Sequence, residues 1–373
     1  MKLAIISHTE HYNDADGNIV GWGPTISEIN HLARDFDMIY HVAFLYEGSP
    51  SPSALPYTEK NIRFVPLKPV GGSGLINKLK IVGNAPNILK TISQTLKKVD
   101  VFQFRAPTGM GVFVIPYLTW FNRKKGWFKY AGNWVQEKPP LGYGVQRWLL
   151  KHQQRIVTIN GRWEYQPKHC LSFENPCLTQ TDREVGTMVV RKKEFKPPFR
   201  FCFVGRLEDA KGVQRILDAF ANLNQKGWVA SLHFVGDGEK RSYYKEAARK
   251  HNLPAVFHGF LDREDVFEIY KQCHFFLLPS SASEGFPKVI AEAMNFGSIP
   301  IVSNVSSIGQ YVNSENGFIF DACSAKGVAD VLHKVATKSA AALQARANLG
   351  YDSAVKFTFD HYRQRIQKEI LKN

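Results

Sequence analysis

From about residue 198 onward the chain alternates short β-rich runs with helical ones, and this alternation restricts its fold more than any other feature. The segments "FRFCFVG", "ASLHFVG", "AVFHGF", "HFFLLPS" and "SIPIVS" read as strands, with "VQRILDAFANLNQ", "KRSYYKEAARKH", "REDVFEIYKQC" and "KVIAEAMNF" as helices between them. Strand followed by helix, repeated, predicts a parallel sheet with helices on both faces. The helix reading has its own support, because Val213, Ile216, Leu217, Phe220 and Leu223 recur at the three- and four-residue steps of a single helical face.

The first half alternates more loosely: "KLAIISH", a helix from about Thr25, "MIYHVAFLY", "NIRFVPL", a helix through "NAPNILKTISQTLKK", then "VDVFQFR", "WFKYAGNW" and "RIVTING". A chain of 373 residues suits two cores better than one. The expected architecture is α/β, two Rossmann-like domains facing a central cleft. Its parts are an N-terminal domain over 1–180, a charged linker closed by Pro197 and Pro198 over 181–197, and a C-terminal domain over 198–355, with a helix over 356–373 packing back toward the first domain. Ligands of open α/β sheets bind beyond the carboxyl ends of the strands, so functional residues are expected in strand-to-helix loops.

Composition narrows the class further. The apolar run that opens the chain is too short for a signal-peptide core, and "GMGVFVIPYLTWF", broken by Pro116, is too short to span a bilayer. Five cysteines without C-x-x-C spacing read as small buried hydrophobes in a reducing cytoplasm. The formal charge of +15 points to polyanions or an anionic membrane surface.

The densest chemistry lies in "SSASEGFPKVIAEAM", residues 280–294. Pro287 suits a helix start, where its missing N–H costs nothing. The amides of Gly285, Phe286 and Lys288 then face outward at a helix N-terminus, which favours a phosphate. Glu284 in front of them can accept hydrogen bonds from a polyol, and Glu292 in the second turn can reach a second vicinal diol. With "GSIPIV" after it, this stretch resembles the Glu-x7-Glu donor site of retaining GT-B glycosyltransferases of family 4 (glycosyl transferases group 1). "FVGRLEDAKGVQRILDAF", "FVGDGE", "FHGFL" and "NGFIF" match that family in order and spacing, so the resemblance covers residues 198–325 closely and the amino-terminal half in outline.

The resemblance implies that Arg206 and Lys211 contact the donor diphosphate, with Gly205 and Gly236 in the matching loops. It implies further that Glu284 and the Gly285-Phe286-Pro287 backbone, followed by Lys288, hold the sugar, Glu292 the ribose hydroxyls and the loop at His258 the base. Fixed cations there fit the chemistry, since breaking the sugar–phosphate bond builds negative charge on the leaving oxygen. In the first half, Gly21 and Gly23 occupy the place of the family's Gly-rich loop, with a Trp and a Pro inserted among them. Thr25 and Glu28 form a capping-box pattern. His8, His11, Arg105, Asn133 and Arg162 are acceptor-side candidates, Arg105 standing where relatives often carry a His.

"DAD" at Asp14–Asp16 and "GGSG" at 71–74 imitate a metal site and a dinucleotide loop without their full context. The expected protein is a cytoplasmic, metal- and cofactor-independent enzyme that moves a sugar from a UDP- or GDP-sugar to a saccharide or lipid-linked acceptor in surface polysaccharide or glycoconjugate synthesis. The alternatives are a GT-B epimerase or phosphorylase, the latter requiring a pyridoxal-phosphate lysine that no motif marks. A basic nucleic-acid-binding protein is a further alternative, and no recognition motif supports it. Basic residues Arg123 to Lys125 among Trp120, Phe121, Trp127 and Phe128, preceded by the lysine-bearing stretch 76–98, suit peripheral contact with the inner face of the plasma membrane.

Overall fold

The computed structural model describes residues 1–69, 81, 83–223, 226–321 and 323–372. The "GGSG" run at 71–74 and residues 76–80 and 82 of the lysine-bearing stretch lie outside them. The chain forms two compact units, one of Met1–Glu174 with Tyr362–Asn373, the other of Asn175–His361.

The first unit is built on parallel strands β1 (Lys2–Asn13), β3 (Met38–Leu45), β5 (Ile62–Leu67), β6 (Val101–Ala106), β7 (Lys125–Tyr130), β8 (Val157–Ile159) and β9 (Cys170–Ser172), in the order β5-β3-β1-β6-β7-β8-β9. Two short strands, β2 (Ile19–Trp22) and β4 (Ala54–Pro56), extend β1 on its far half in antiparallel pairing. After Lys2, β1 carries four consecutive fully buried residues, Leu3 to Ile6, because both faces of the sheet are covered. Ala4 and Ile6 join Phe102, Phe104 and Phe128 on one face; Leu3 and Ile5 join Ile29, Leu32 and Trp127 on the other. That second face is also covered by Tyr362, Ile366 and Ile370 from the carboxyl end of the chain. Trp127 and Phe128, expected at a membrane surface, are fully buried on opposite faces of β7, since successive strand residues point to opposite sides.

The second unit carries a wholly parallel sheet, β12-β11-β10-β13-β14-β15, from β10 (Phe199–Val204), β11 (Val229–Val235), β12 (Ala255–Gly259), β13 (Phe275–Leu278), β14 (Ile299–Ser303) and β15 (Phe318–Phe320). The helix Val213–Ala221 buries Val213, Ile216, Leu217 and Phe220, the face read from their spacing.

The stretch 181–197 differs from the expected linker, for most of it is the helix Gln180–Lys192. Thr179 Oγ1 accepts from the Asp182 amide at 3.0 Å and the Asp182 carboxylate accepts from the Thr179 amide at 2.7 Å, a reciprocal cap. Its buried residues are Arg183, Gly186 and Val190, with Val185 and Val189 partly buried against the core. Arg183 Nη1 donates to Asn295 Oδ1 at 2.9 Å and to the Tyr351 carbonyl at 2.7 Å, so the buried charge is satisfied.

Candidate functional site

Strand order locates the site. From β10 the chain runs outward through β11 and β12, then returns to lay β13 on the other side of β10. Connections leaving β10 and β13 diverge there, and the gap beyond their carboxyl ends is where open α/β sheets hold ligands. Residues 205–212 leave β10 and residues 279–287 leave β13, so both motif loops open on this gap.

Glycines let these loops approach. Gly212 has φ +89°, and a Cβ on it would stand 2.2 Å from the Pro279 carbonyl oxygen. A Cβ on Gly236 would stand 2.0 Å from the Gly205 oxygen, so neither position admits a side chain. Polar contacts then stitch the loops together. The Ser281 amide donates to the Ala210 carbonyl at 2.8 Å, and Ser280 Oγ donates to the same oxygen at 3.1 Å. Arg215 Nη1 donates to the carbonyls of Asp209 and Pro279, each at 3.0 Å, and its Nη2 donates to Ser281 Oγ at 3.2 Å. Asp209 accepts from Tyr244 Oη at 2.7 Å and pairs with Lys240, tying in the segment after β11.

This scaffold brings Lys211 Nζ onto Glu284 Oε1 as an ion pair, the lysine nearly buried and the glutamate about half exposed. Glu284 precedes the helix Lys288–Asn295, which Pro287 opens in extended conformation. The first amides of that helix have no carbonyl within it to bind, so the turn presents N–H groups and the positive end of the dipole. Gly285 is buried and its carbonyl accepts from Ser307 Oγ at 3.1 Å. The Phe286 ring stacks on Phe357 at 4.6 Å and meets Tyr311 at 4.9 Å, which anchors the loop.

Glu292 lies in the second turn of the same helix, half-buried. Burial raises its carboxyl pKa above the ordinary value, and Arg263 and Lys288 oppose the rise. Arg206, in the same loop as Lys211, is exposed, and its guanidinium pairs with Glu208 at 3.2 Å. His258 lies next to last in β12, two strands from β10, its Nε2 2.9 Å from His233 Nδ1 and the two rings stacked. Burial lowers the pKa of His258.

The candidates of the first unit occupy different settings. His11 is fully buried, its Nε2 2.9 Å from Tyr57 Oη, and Tyr57 Oη also lies 2.6 Å from His41 Nδ1. Burial holds the His11 pKa at about 4, so the ring is a neutral member of a polar core network. His8, at the irregularity of β1 between Ile6 and Glu10, packs against Phe44 at 4.4 Å between ring centroids. Its Nδ1 has no hydrogen-bond partner among the described residues, and burial lowers its pKa, Glu10 opposing.

Glu28 is not a capping acid. The helix begins at Gly23 with Pro24 in its first turn, which places Glu28 in the second. There the carboxylate accepts from Arg105 Nη2 at 2.9 Å and from Lys129 Nζ at 2.6 and 2.7 Å. Arg105 is thereby committed to a nearly buried charge cluster, its Nε also donating to Gln103 Oε1 at 2.8 Å. Gly23 is pressed on the Ser53 carbonyl, 2.3 Å from where a Cβ would sit, and chain packing alone accounts for this glycine. Asn133 Oδ1 accepts from the Val135 amide at 3.0 Å in a turn, and Arg162 is exposed just beyond β8. Asp14 Oδ1 likewise closes a turn through the amides of Asp16 and Asn18 at 3.0 and 2.8 Å.

Of the residues that join the two motif loops, Ser280 and Ser281 open the 280–294 stretch without a role of their own in the sequence reading, and Arg215 does not stand out in the sequence. The only local signal is Arg215 falling one helical turn beyond Lys211.

Residues 188–353 match the family model described as glycosyl transferases group 1. Glycogen synthase of Mycobacterium tuberculosis is 30% identical over 209 residues, 54% of this chain and 50% of that protein. Lipopolysaccharide 1,6-galactosyltransferase of Salmonella typhimurium is 32% identical over 140 residues, 36% of this chain and 38% of that one. The chain spans half or less of the length of these curated relatives. The crystal structure of Anabaena HepE in complex with UDP superposes with a TM-score of 0.72 at 15% identity, covering 100% of both chains. The α/β fold is the GT-B fold of such structures.

Proposed function

We propose that this protein is a retaining glycosyltransferase that holds a UDP- or GDP-sugar in the second unit and transfers the sugar to a saccharide or lipid-linked acceptor, in the synthesis of surface polysaccharide or glycoconjugate. The observation that carries this reading is the Lys211–Glu284 pair set in front of a helix start at the β10/β13 gap. A nearly buried ammonium and a row of free amides suit a diphosphate, and the half-exposed carboxylate between them suits neutral hydroxyl groups.

In this reading the diphosphate lies over the first turn of Lys288–Asn295, Lys211 meets the leaving phosphate oxygen, and Glu284 accepts hydrogen bonds from the sugar. Glu292, one turn further on, accepts from the ribose diol. Arg206 sits in an exposed pair worth at most about 1 kcal/mol, so its guanidinium can turn toward the phosphates at little cost. As the bond to the sugar breaks, charge grows on an oxygen that faces a fixed cation. The acceptor hydroxyl passes its proton to that departing oxygen, and the new bond forms on the face the phosphate leaves.

The test is to incubate the protein with UDP- and GDP-sugars and follow the anomeric proton by NMR. Release or transfer with the anomeric configuration of the donor supports the reading. Inversion would contradict the retaining course, and donors that stay intact throughout would contradict glycosyl transfer.

A further inference from the structure

We propose that the first unit carries a docking face for anionic lipid headgroups, formed by the helix Leu141–Lys151 and the end of the neighbouring helical segment at Trp120 and Phe121. This inference is independent of the donor-site reading, because every residue involved belongs to the first unit.

The helix Leu141–Lys151 buries Gln146, Leu149 and Leu150 against the core. Its outward face is nonetheless apolar. Leu141, Val145 and Trp148 follow at steps of four and three, one side of a helix, and are 86%, 41% and 58% exposed. The segment Gly111–Phe121 packs against this helix so closely that a Cβ on Gly111 would stand 1.9 Å from Gln146 Oε1. That segment ends on Trp120 and Phe121, 65% and 78% exposed. Arg155, just after the other helix, donates to the Thr119 carbonyl at 3.1 Å and so holds the two ends together. Single exposed apolar residues are ordinary, but five on two helical segments packed together, two of them tryptophans, mark an interaction surface.

The charge around this face names the partner. Arg123, Lys124 and Lys125 follow Phe121 within four residues, and Lys138 and Lys151 stand just before and at the end of the helix Leu141–Lys151. Among the described residues Arg123, Lys124, Lys125, Lys138 and Lys151 are in no ion pair with an acid. Lysines and arginines unpaired by acids are drawn to an anionic leaflet, and indoles settle at the headgroup level. Leu141 and Val145 offer nothing to a phosphodiester or a base, whereas an acyl boundary accepts them. A lipid surface therefore fits the combination better than a nucleic acid does.

Co-sedimentation of the full chain with vesicles tests this, using phosphatidylcholine alone and with phosphatidylglycerol added. The expected result is binding only to the anionic vesicles, weakened by salt. Changing Arg123, Lys124 and Lys125 together to Gln should weaken partitioning on the order of 100-fold. Leu141→Ser and Trp148→Ser should each weaken it roughly ten-fold. Brominated lipid should quench the wild-type tryptophan fluorescence, and less so in Trp148→Ser. Circular dichroism melts of the variants should match the wild type, because these side chains are on the surface. Equal recovery on neutral and anionic vesicles would overturn the proposal. So would anionic binding indifferent to Leu141 and Trp148, or salt-sensitive capture of an oligonucleotide in place of vesicles.

Discussion

Lys211→Ala separates the role assigned to this lysine from any part it plays in holding the fold. Its Nζ pairs with a glutamate that is about half exposed, so the carboxylate left behind is rehydrated and the loss of the pair costs no more than about 1 kcal/mol. For a unit of this size that corresponds to a fall in Tm of at most about 4 °C. Removing the cation that faces the developing phosphate charge should cost far more where it matters, about 2.7–4 kcal/mol in the transition state, a fall of roughly 10² to 10³ in kcat. The two effects differ enough to be told apart by turnover at saturating nucleotide sugar beside a urea titration of the same preparation. Lys211→Arg should recover part of the turnover, since it restores a cation with altered reach. Turnover of Lys211→Ala within a few-fold of the parent would refute the reasoning, as would a variant whose activity falls only in proportion to its unfolded fraction.

Three further outcomes follow from the same geometry. Glu292→Gln should weaken calorimetric binding of the free nucleoside diphosphate while Glu284→Gln spares it and impairs use of the intact donor; normal nucleotide binding by both would remove Glu292 from the site. Gly212→Ala must place a Cβ 2.2 Å from the Pro279 oxygen at φ +89°, so chemical denaturation should show a loss of about 2–4 kcal/mol together with the donor site, and an unchanged midpoint would contradict the loop packing. Burial lowers His11 from 6.5 to about 4, so between those values the unfolded chain takes up a proton that the native ring refuses. Stability should therefore fall as pH drops through that window, by up to about 3 kcal/mol from this residue, and His11→Gln should flatten the slope in urea titrations at successive pH values.

The second sheet was legible because strands covered on both faces are continuous apolar runs and the Val213–Ala221 helix repeats its buried residues at helical spacing. The helix Gln180–Lys192 was not, since Arg183 and Gly186 serve its interior and a buried arginine on tertiary partners looks like surface charge in one dimension. Glu28 misled in the opposite direction: the local capping pattern was real, but Pro24 opened the helix earlier and Arg105 and Lys129 supplied the partners from distant strands. The motif loops at Lys211 and Glu284 could be located in sequence. Their ion pair could not, because it depends on β13 returning beside β10 and on Gly212 letting the loops touch.

The central claim is that the β10/β13 gap of the second unit holds a nucleotide sugar, and a thermal-shift titration with UDP- and GDP-sugars on wild type, Lys211→Ala and Glu292→Gln tests it most directly. A donor at about 100 times its dissociation constant adds about 2.7 kcal/mol to the native state. The account predicts a saturable rise in Tm for at least one of these donors in the wild type and a rise that needs much higher donor concentration in both variants. No rise with any of these donors, or an equal rise in all three proteins, would contradict it.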